Sequence, residues 1–194
     1  MFASEAGYPS QMRVVSGIAG GRRLQTPAGR QLRPTTERVR EAVFSSLWSL
    51  GVLEGARVLD LYAGSGAMGI EALSRGAVSA TFVEADPVAA RTIEANLAAT
   101  GLAGPATRVA HVDVARFLDD PGDRFDLAFV DPPYAFSDWP SVLGRLPVDL
   151  AVLESRREVD PGPAWMTTRS ARYGGTVVTT VQRTETDQNG GAER

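Results

Sequence analysis

The chain has 194 residues, 43% of them hydrophobic, enough for one α/β domain with a substantial core. It contains no cysteine, which excludes disulfides, cysteine-ligated zinc and iron–sulfur clusters. The net charge of −3 argues against a wholly basic nucleic-acid binder, yet Met12 to Arg40 holds seven arginines against one acid, Glu37, so a basic arm leads an acidic body.

Residues 1–11 lack a basic start and an apolar run, so they read as a flexible extension rather than a secretory signal. No apolar stretch is long enough to span a bilayer, and the expected location is the cytoplasm. Arg13–Ile18 alternates weakly, Ala19-Gly20-Gly21 forms a turn and Arg22–Gln25 returns, which predicts a β-hairpin. After a loop from Pro27 to Pro34, Thr35 or Thr36 can cap a helix running to about Leu50. Val39, Val43, Phe44, Leu47 and Leu50 share one face of it.

From there strands and helices alternate. Strands are predicted at Arg57–Leu61, Ala80–Glu84, Thr107–Val112, Asp126–Val130 and Asp149–Glu154. Helices are predicted at Gly66–Arg75, Pro87–Ala99, Val114–Leu118 and Ser137–Leu146. Thr168–Tyr173 pairs with Thr176–Arg183 across Gly174-Gly175, and 184–194 is a polar tail. The predicted organisation is therefore a basic hairpin and helix at 12–51 and an α/β domain at 52–183. The alternation implies a mostly parallel sheet covered on both faces, with one antiparallel strand from the terminal hairpin and ligands at the carboxyl ends of the strands. His111, the one histidine, lies in a predicted strand without a ligand cluster and reads as structural, and no metal site is expected. Trp48 and Trp165 read as packing residues, whereas Phe136 and Trp139, just past a proline turn, are candidates to line a pocket.

Asp60-Leu61-Tyr62-Ala63-Gly64-Ser65-Gly66-Ala67-Met68-Gly69 places G-x-G-x-x-G between a strand and a helix. Glycines let Tyr62, Ala63, Gly64, Ser65 and Gly66 approach a ligand through backbone, and the helix start favours an anion. Asp60, at the strand end, would repel a pyrophosphate but suits a ligand carrying an ammonium and a sulfonium. Glu84, beside Ala85, ends the next strand 20 residues after Gly64, where an acid accepts ribose hydroxyls. Asp113 follows the third strand and can receive an adenine amine, with Val114 against the ring. Together these acids favour S-adenosylmethionine over a dinucleotide. Without cysteine, such a protein must transfer methyl by direct displacement onto a nucleophilic atom, since neither a cysteine nucleophile nor a radical cluster is available.

Asp131-Pro132-Pro133-Tyr134 directly follows the strand DLAFV. An exocyclic aromatic amine is a poor nucleophile because its lone pair is delocalised, and two acceptors for its protons restore that density. The Asp131 carboxylate and the Pro132 carbonyl can be those acceptors. Pro133 fixes the turn and Tyr134 can stack on the base.

MRVVSGIAGGRRL, LRPTTERVREAVFSSL, LDLYAGSGAMGIEALSRGA, FVEAD and FVDPPY together make the chain resemble the RsmD-type small-subunit ribosomal RNA guanine-N2 methyltransferases over about Met12 to Arg183. The Arg33–Glu41 segment is the most particular part, and the stretch between Tyr134 and Glu154 is short for the family. The resemblance implies a Rossmann-like methyltransferase fold and a guanine of 16S RNA, in an assembled or assembling small subunit, as substrate of a monomer. Arg22, Arg23, Arg38 and Arg40 are then candidates to grip RNA phosphates. Other readings of the same motifs are a protein-glutamine or DNA-adenine methyltransferase, or a non-catalytic RNA-binding assembly factor.

Overall fold

The computed structural model describes residues 12–27, 36–133 and 135–184. The predicted extension at 1–11, most of the Pro27–Pro34 loop, Thr35, Tyr134 and nearly all of the tail lie outside the described residues.

Seven strands form one sheet: β1 (Arg57–Leu61), β2 (Ser79–Glu84), β3 (Thr107–His111), β4 (Leu127–Val130), β5 (Leu150–Ser155), β6 (Trp165–Tyr173) and β7 (Thr176–Arg183). Their order is β3-β2-β1-β4-β5-β7-β6. All run parallel except β7, which pairs antiparallel with both β5 and β6. Five helices complete the fold: α1 (Thr36–Ser49), α2 (Ala67–Ser74), α3 (Pro87–Thr100), α4 (Val114–Asp119) and α5 (Trp139–Arg145). This is the mostly parallel sheet that the alternation predicts and the Rossmann-like methyltransferase fold that the resemblance implies, with strand order reversing beside β1.

Two cores flank the sheet. One joins Phe44 and Leu47 of α1, Ile70 of α2 and Ile93 of α3 to Phe82, Leu127 and Phe129 of the sheet. The other places Phe117 of α4 and Leu143 of α5 over Leu59, Ala128 and Leu153. Strands buried on both faces explain why β1, β2 and β4 read as continuous apolar runs rather than alternating ones. At the outer edge β6 is exposed over most of its length. A register shift between Thr167 and Arg169 interrupts its pairing with β7. Trp165 packs as expected, donating from Nε1 to the Leu143 carbonyl at 3.2 Å. Trp48 does not: it stands 64% exposed near the end of α1, and Leu50, one residue past the helix, is also exposed.

The N-terminal segment doubles back as predicted, but irregularly. Only Arg13 and Arg23 form a bridge, with Val14 N–H donating to the Arg22 carbonyl and Leu24 N–H to the Met12 carbonyl. Gly20, Gly21 and Arg22 N–H donate within the turn, to the Gly17, Val14 and Ala19 carbonyls, while four amides of the first limb find partners on α2. Val15 and Ser16 N–H donate to the Glu71 carboxylate at 2.7 and 3.0 Å. Ile18 N–H donates to the Ser74 carbonyl, and Ala19 N–H to the Ser74 hydroxyl. The segment is thus a strap across the helices. Val14, Ala19 and Leu24 are buried in the same core as α1 and the sheet.

Glycine at 17 is a steric requirement of this docking. Its φ is +85°, and a Cβ there would sit 1.8 Å from the Ser74 carbonyl oxygen. Gly21 has a similar φ of +80° with open space around it. Gly17→Ala is expected to cost about 2–4 kcal/mol, strain plus steric displacement, and Gly21→Ala only about 1 kcal/mol. Urea unfolding of the two variants measures this, and equal losses would show that the strap is not seated on α2.

Candidate active site

β1 and β4 are adjacent, with Leu61 opposite Val130. The glycine loop and the Asp131-Pro132-Pro133 turn, which follow these strands, therefore emerge side by side. β2 lies on the other flank of β1 and delivers Glu84 to the same end. Tyr62 takes φ +58°, the one described non-glycine residue with positive φ, and Gly64 and Gly66 follow at +58° and +76°. The loop curls tightly: Gly66 N–H donates to the Ala63 carbonyl at 2.7 Å, and Ala63 N–H to the Val83 carbonyl. Gly69 serves helix–strand contact, since a Cβ there would lie 2.3 Å from the Phe82 ring. A side chain at 69 would push α2 off β2.

The two buried acids hold the loop from below. Asp60 accepts from Gly69 N–H at 2.9 Å, capping the first turn of α2. Glu84 accepts from Gly64 N–H at 2.8 Å and from Asp86 N–H at 2.9 Å. Each carboxylate keeps further lone pairs for a ligand. Burial pushes the Asp60 carboxyl up to about 8, opposed by the Gly69 hydrogen bond and reinforced by the charges of Asp131 and Glu84. Three acids at the ends of neighbouring strands make a locus that favours a cation and disfavours an anion.

Asp113 is exposed and caps α4, accepting from Ala115 N–H at 2.8 Å. Val114 is buried in the second core, so it offers little surface to a ring. His111 is exposed, and its Nε2 donates to the Ala85 carbonyl at 3.1 Å, bracing the residue after Glu84.

On the other side, Asp131 is half-buried with its N–H 3.5 Å from the Leu61 carbonyl. Pro132 is buried, and the Pro133 carbonyl accepts from Phe136 N–H at 2.8 Å, closing the turn. Phe136 then packs between Tyr62, tilted with centroids 5.7 Å apart, and Trp139, edge-to-face at 5.2 Å. These three aromatics line the flank between the glycine loop and α5, so both pocket candidates read from the loop aromatics lie beside the site. Burial pushes the Tyr62 hydroxyl up to about 12, with the charges of Asp113 and Asp138 adding to it.

The arginine candidates divide. Arg40 is buried at 2% exposure. It pairs with Glu71 at 3.6 Å and donates to the Arg13 carbonyl, so as a phosphate contact it is corrected to a structural cation. Charge counting does not see burial, and the helical spacing that would have placed Arg40 inward was read only through apolar residues. Arg22 is exposed, but its guanidinium is 2.5 Å from the Thr100 carbonyl, the last of α3. Because α3 starts at the carboxyl end of β2 and runs back, that carbonyl lies at the end of the sheet opposite Asp131. Arg23 and Arg38 are exposed. The sequence reading missed Glu71 and Asn96, both fully buried polar residues on helices. Glu71 binds Arg75 at 2.7 Å as well as Arg40 and the two strap amides.

A family model described as Conserved hypothetical protein 95 matches residues 12–182. Ribosomal RNA small subunit methyltransferase D of Escherichia coli K12 is 44% identical over 124 residues, covering 64% of this chain and 61% of that protein. The matched stretch thus spans less than two thirds of that relative's length. Bacillus subtilis YlbH is 43% identical over 126 residues, covering 63% of this chain and 67% of that protein. The solved structure of Escherichia coli yhhF superposes with a TM-score of 0.78 at 34% identity, covering 89% of this chain and 98% of that one. The chain belongs to the Conserved hypothetical protein 95 family, that of the RsmD-type methyltransferases its sequence resembles.

Proposed function

We propose that this protein transfers a methyl group from S-adenosylmethionine to the exocyclic N2 amine of a guanine in 16S ribosomal RNA. The reading is carried by one observation: the Asp131-Pro132-Pro133 turn and the acid-backed glycine loop emerge from adjacent strands. Family membership and the relatives named for small-subunit ribosomal RNA support the substrate. We propose further that it acts in the cytoplasm, as a monomer, on an assembled or assembling subunit. Among the described residues no helix is long and apolar enough to cross a membrane.

The residues fit the cofactor. Asp60 would face its ammonium, the Gly64–Gly66 loop its backbone, Glu84 the ribose hydroxyls, and Asp113 with Ala85 the adenine. Bound there, S-adenosylmethionine supplies an electrophilic methyl on a sulfonium. On the substrate side, Asp131 accepts one amine hydrogen. The Phe136 N–H occupies the Pro133 carbonyl and fixes the turn, leaving the Pro132 carbonyl as the second acceptor. Both interactions return density to the amine nitrogen, whose lone pair would form the new N–C bond as the methyl–sulfur bond breaks, its electrons staying on the departing thioether sulfur. The nitrogen is then acidic, and its proton passes to Asp131 or water. Tyr134 is assigned to stacking on the base. Alignment of nitrogen, methyl and sulfur supplies much of the rate. Arg23 and Arg38, both exposed, are proposed to contact phosphates, and Arg22 to do so only at the far end of the strap.

Asp131→Ala should lower turnover at least about 100-fold while leaving cofactor affinity intact. Methyl transfer from labelled cofactor to unmodified small subunits, followed by nucleoside analysis, tests this, and near-wild-type turnover would remove Asp131 from the chemistry. Arg23→Ala with Arg38→Ala should flatten log affinity for RNA against log salt by roughly 0.7–0.9 for each lost contact. An unchanged slope would free both residues from that role.

Asp60 predicts a proton linkage. With its folded carboxyl at about 8, it is largely protonated at pH 7 in the free protein. A cationic ligand favours the ionised form, so binding should release protons below pH 8, and affinity should rise with pH up to that point and then level. Calorimetry in buffers of different ionisation heat reads the proton count. Release equal in wild type and Asp60→Asn would assign it elsewhere.

A further inference from the structure

Asn96, on α3, has no exposed surface and uses its whole side-chain amide. Its Nδ2 donates to the Ser65 carbonyl at 2.9 Å and to the Gln25 carbonyl at 2.9 Å. Its Oδ1 accepts from Gln25 N–H at 2.7 Å. Ser65 is the middle residue of the curled Gly64-Ser65-Gly66 loop. Gln25 belongs to the strap, two residues before the described part of that segment ends at Pro27. One buried amide therefore joins α3, the loop and the strap. An Asn amide has two donor hydrogens, and both are spent, one on each partner. The position of the loop is thus set against the strap, not only against the sheet. Met12, at the other limb of the strap, reaches the same loop, its sulfur 3.5 Å from the Ser65 hydroxyl.

We propose that Asn96 is a positioning residue that fixes the cofactor loop against the N-terminal strap, so that RNA held by the strap's exposed arginines is coupled to the cofactor site. The inference rests on the proposed function for the identity of the two ligands. Holding the Ser65 carbonyl inward fixes the curl of the loop, whose Gly64 and Gly66 amides are already engaged by Glu84 and the Ala63 carbonyl. Any loss of the Asn96 donors lets the loop relax while the catalytic turn on β4 stays in place. Coupling between two sites is reciprocal, so RNA should raise cofactor affinity by the same factor as cofactor raises RNA affinity.

The test measures binding of S-adenosylhomocysteine, the cofactor form with no methyl to transfer, by calorimetry with and without saturating unmodified small subunits, and steady-state kinetics with S-adenosylmethionine, for wild type, Asn96→Ala and Gln25→Pro. Wild type should bind cofactor about fivefold or more tightly with RNA present. Asn96→Ala should raise the cofactor KM about tenfold, leave kcat at saturating cofactor near wild type, and reduce the RNA enhancement towards onefold. A residue that merely stabilised the fold would lower the active fraction, and hence kcat, with KM unchanged. Gln25→Pro removes the N–H that Oδ1 accepts, at an exposed position outside the core, so it decides the matter if Asn96→Ala does not fold. It should shift KM and the enhancement in the same direction. Wild-type protein that binds no cofactor would overturn the proposed function itself. Wild type that binds, beside folded variants with unchanged KM and unchanged enhancement, would overturn the role of Asn96 alone.

Discussion

The architecture around the site depends on one buried carboxylate. Glu71 sits on α2 with no solvent exposure and faces two guanidinium groups and two backbone amides. An ionised carboxylate in that position is tolerable only because each of its oxygens is engaged, and removing Glu71 would leave two arginines facing each other without a counter-charge. Arg40 brings α1 to this point, Arg75 closes the turn below it and stacks over Phe44 at 5.1 Å, and Val15 and Ser16 bring the strap. The helix that begins at the cofactor loop is thus clamped at mid-length by α1 and by the strap, with its own C-cap Arg75 closing the cluster. Apolar packing gives this region its stability. The carboxylate decides which arrangement of the pieces is allowed.

At the other end of α2 the same helix meets a different electrostatic regime. Its first turn is capped by Asp60, and its glycine loop is held by Glu84. Neither acid has a cationic side chain beside it among the described interactions, and Asp131 adds a third negative group. With Asp60 at 3% and Glu84 at 5% exposure, ionising Asp60 in the free protein is costly. A cationic ligand offsets that cost, so the two buried acids select the charge of the occupant.

Much of this was legible in the sequence, and the exceptions share a cause. The strand-end acids could be read because the parallel βαβ repeat converts spacing into place: an acid ending a strand must lie at the ligand end. The prolines after DLAFV could be read for the same reason. Glu71 could not, because within AMGIEALS it looks like one acid on a mixed helix, and only the strap's return over that face buries it. Arg40 was misread through its charge, whereas its burial depends on a contact 31 residues away. Asn96 carried no signal, because an amide in a helix has no preferred reading until the loop and strap beside it are in place. The strap itself showed its turn residues but not its pairing, since its amides go to helical side chains and not to a second strand.

The strap also sets an order of events during synthesis. Its partners lie 55 to 78 positions later in the chain: Glu71 and Ser74 for the descending limb, Asn96 and Thr100 for the return. At translation speeds of 5–20 residues per second, Arg22 emerges roughly 4–16 s before the helix end that receives it. During that interval Val14, Ala19 and Leu24, all buried in the finished molecule, have no core to enter. The earliest described segment of the chain therefore has to wait for α2 and α3 before it can dock, and the arginines beside its apolar residues oppose their association in that interval.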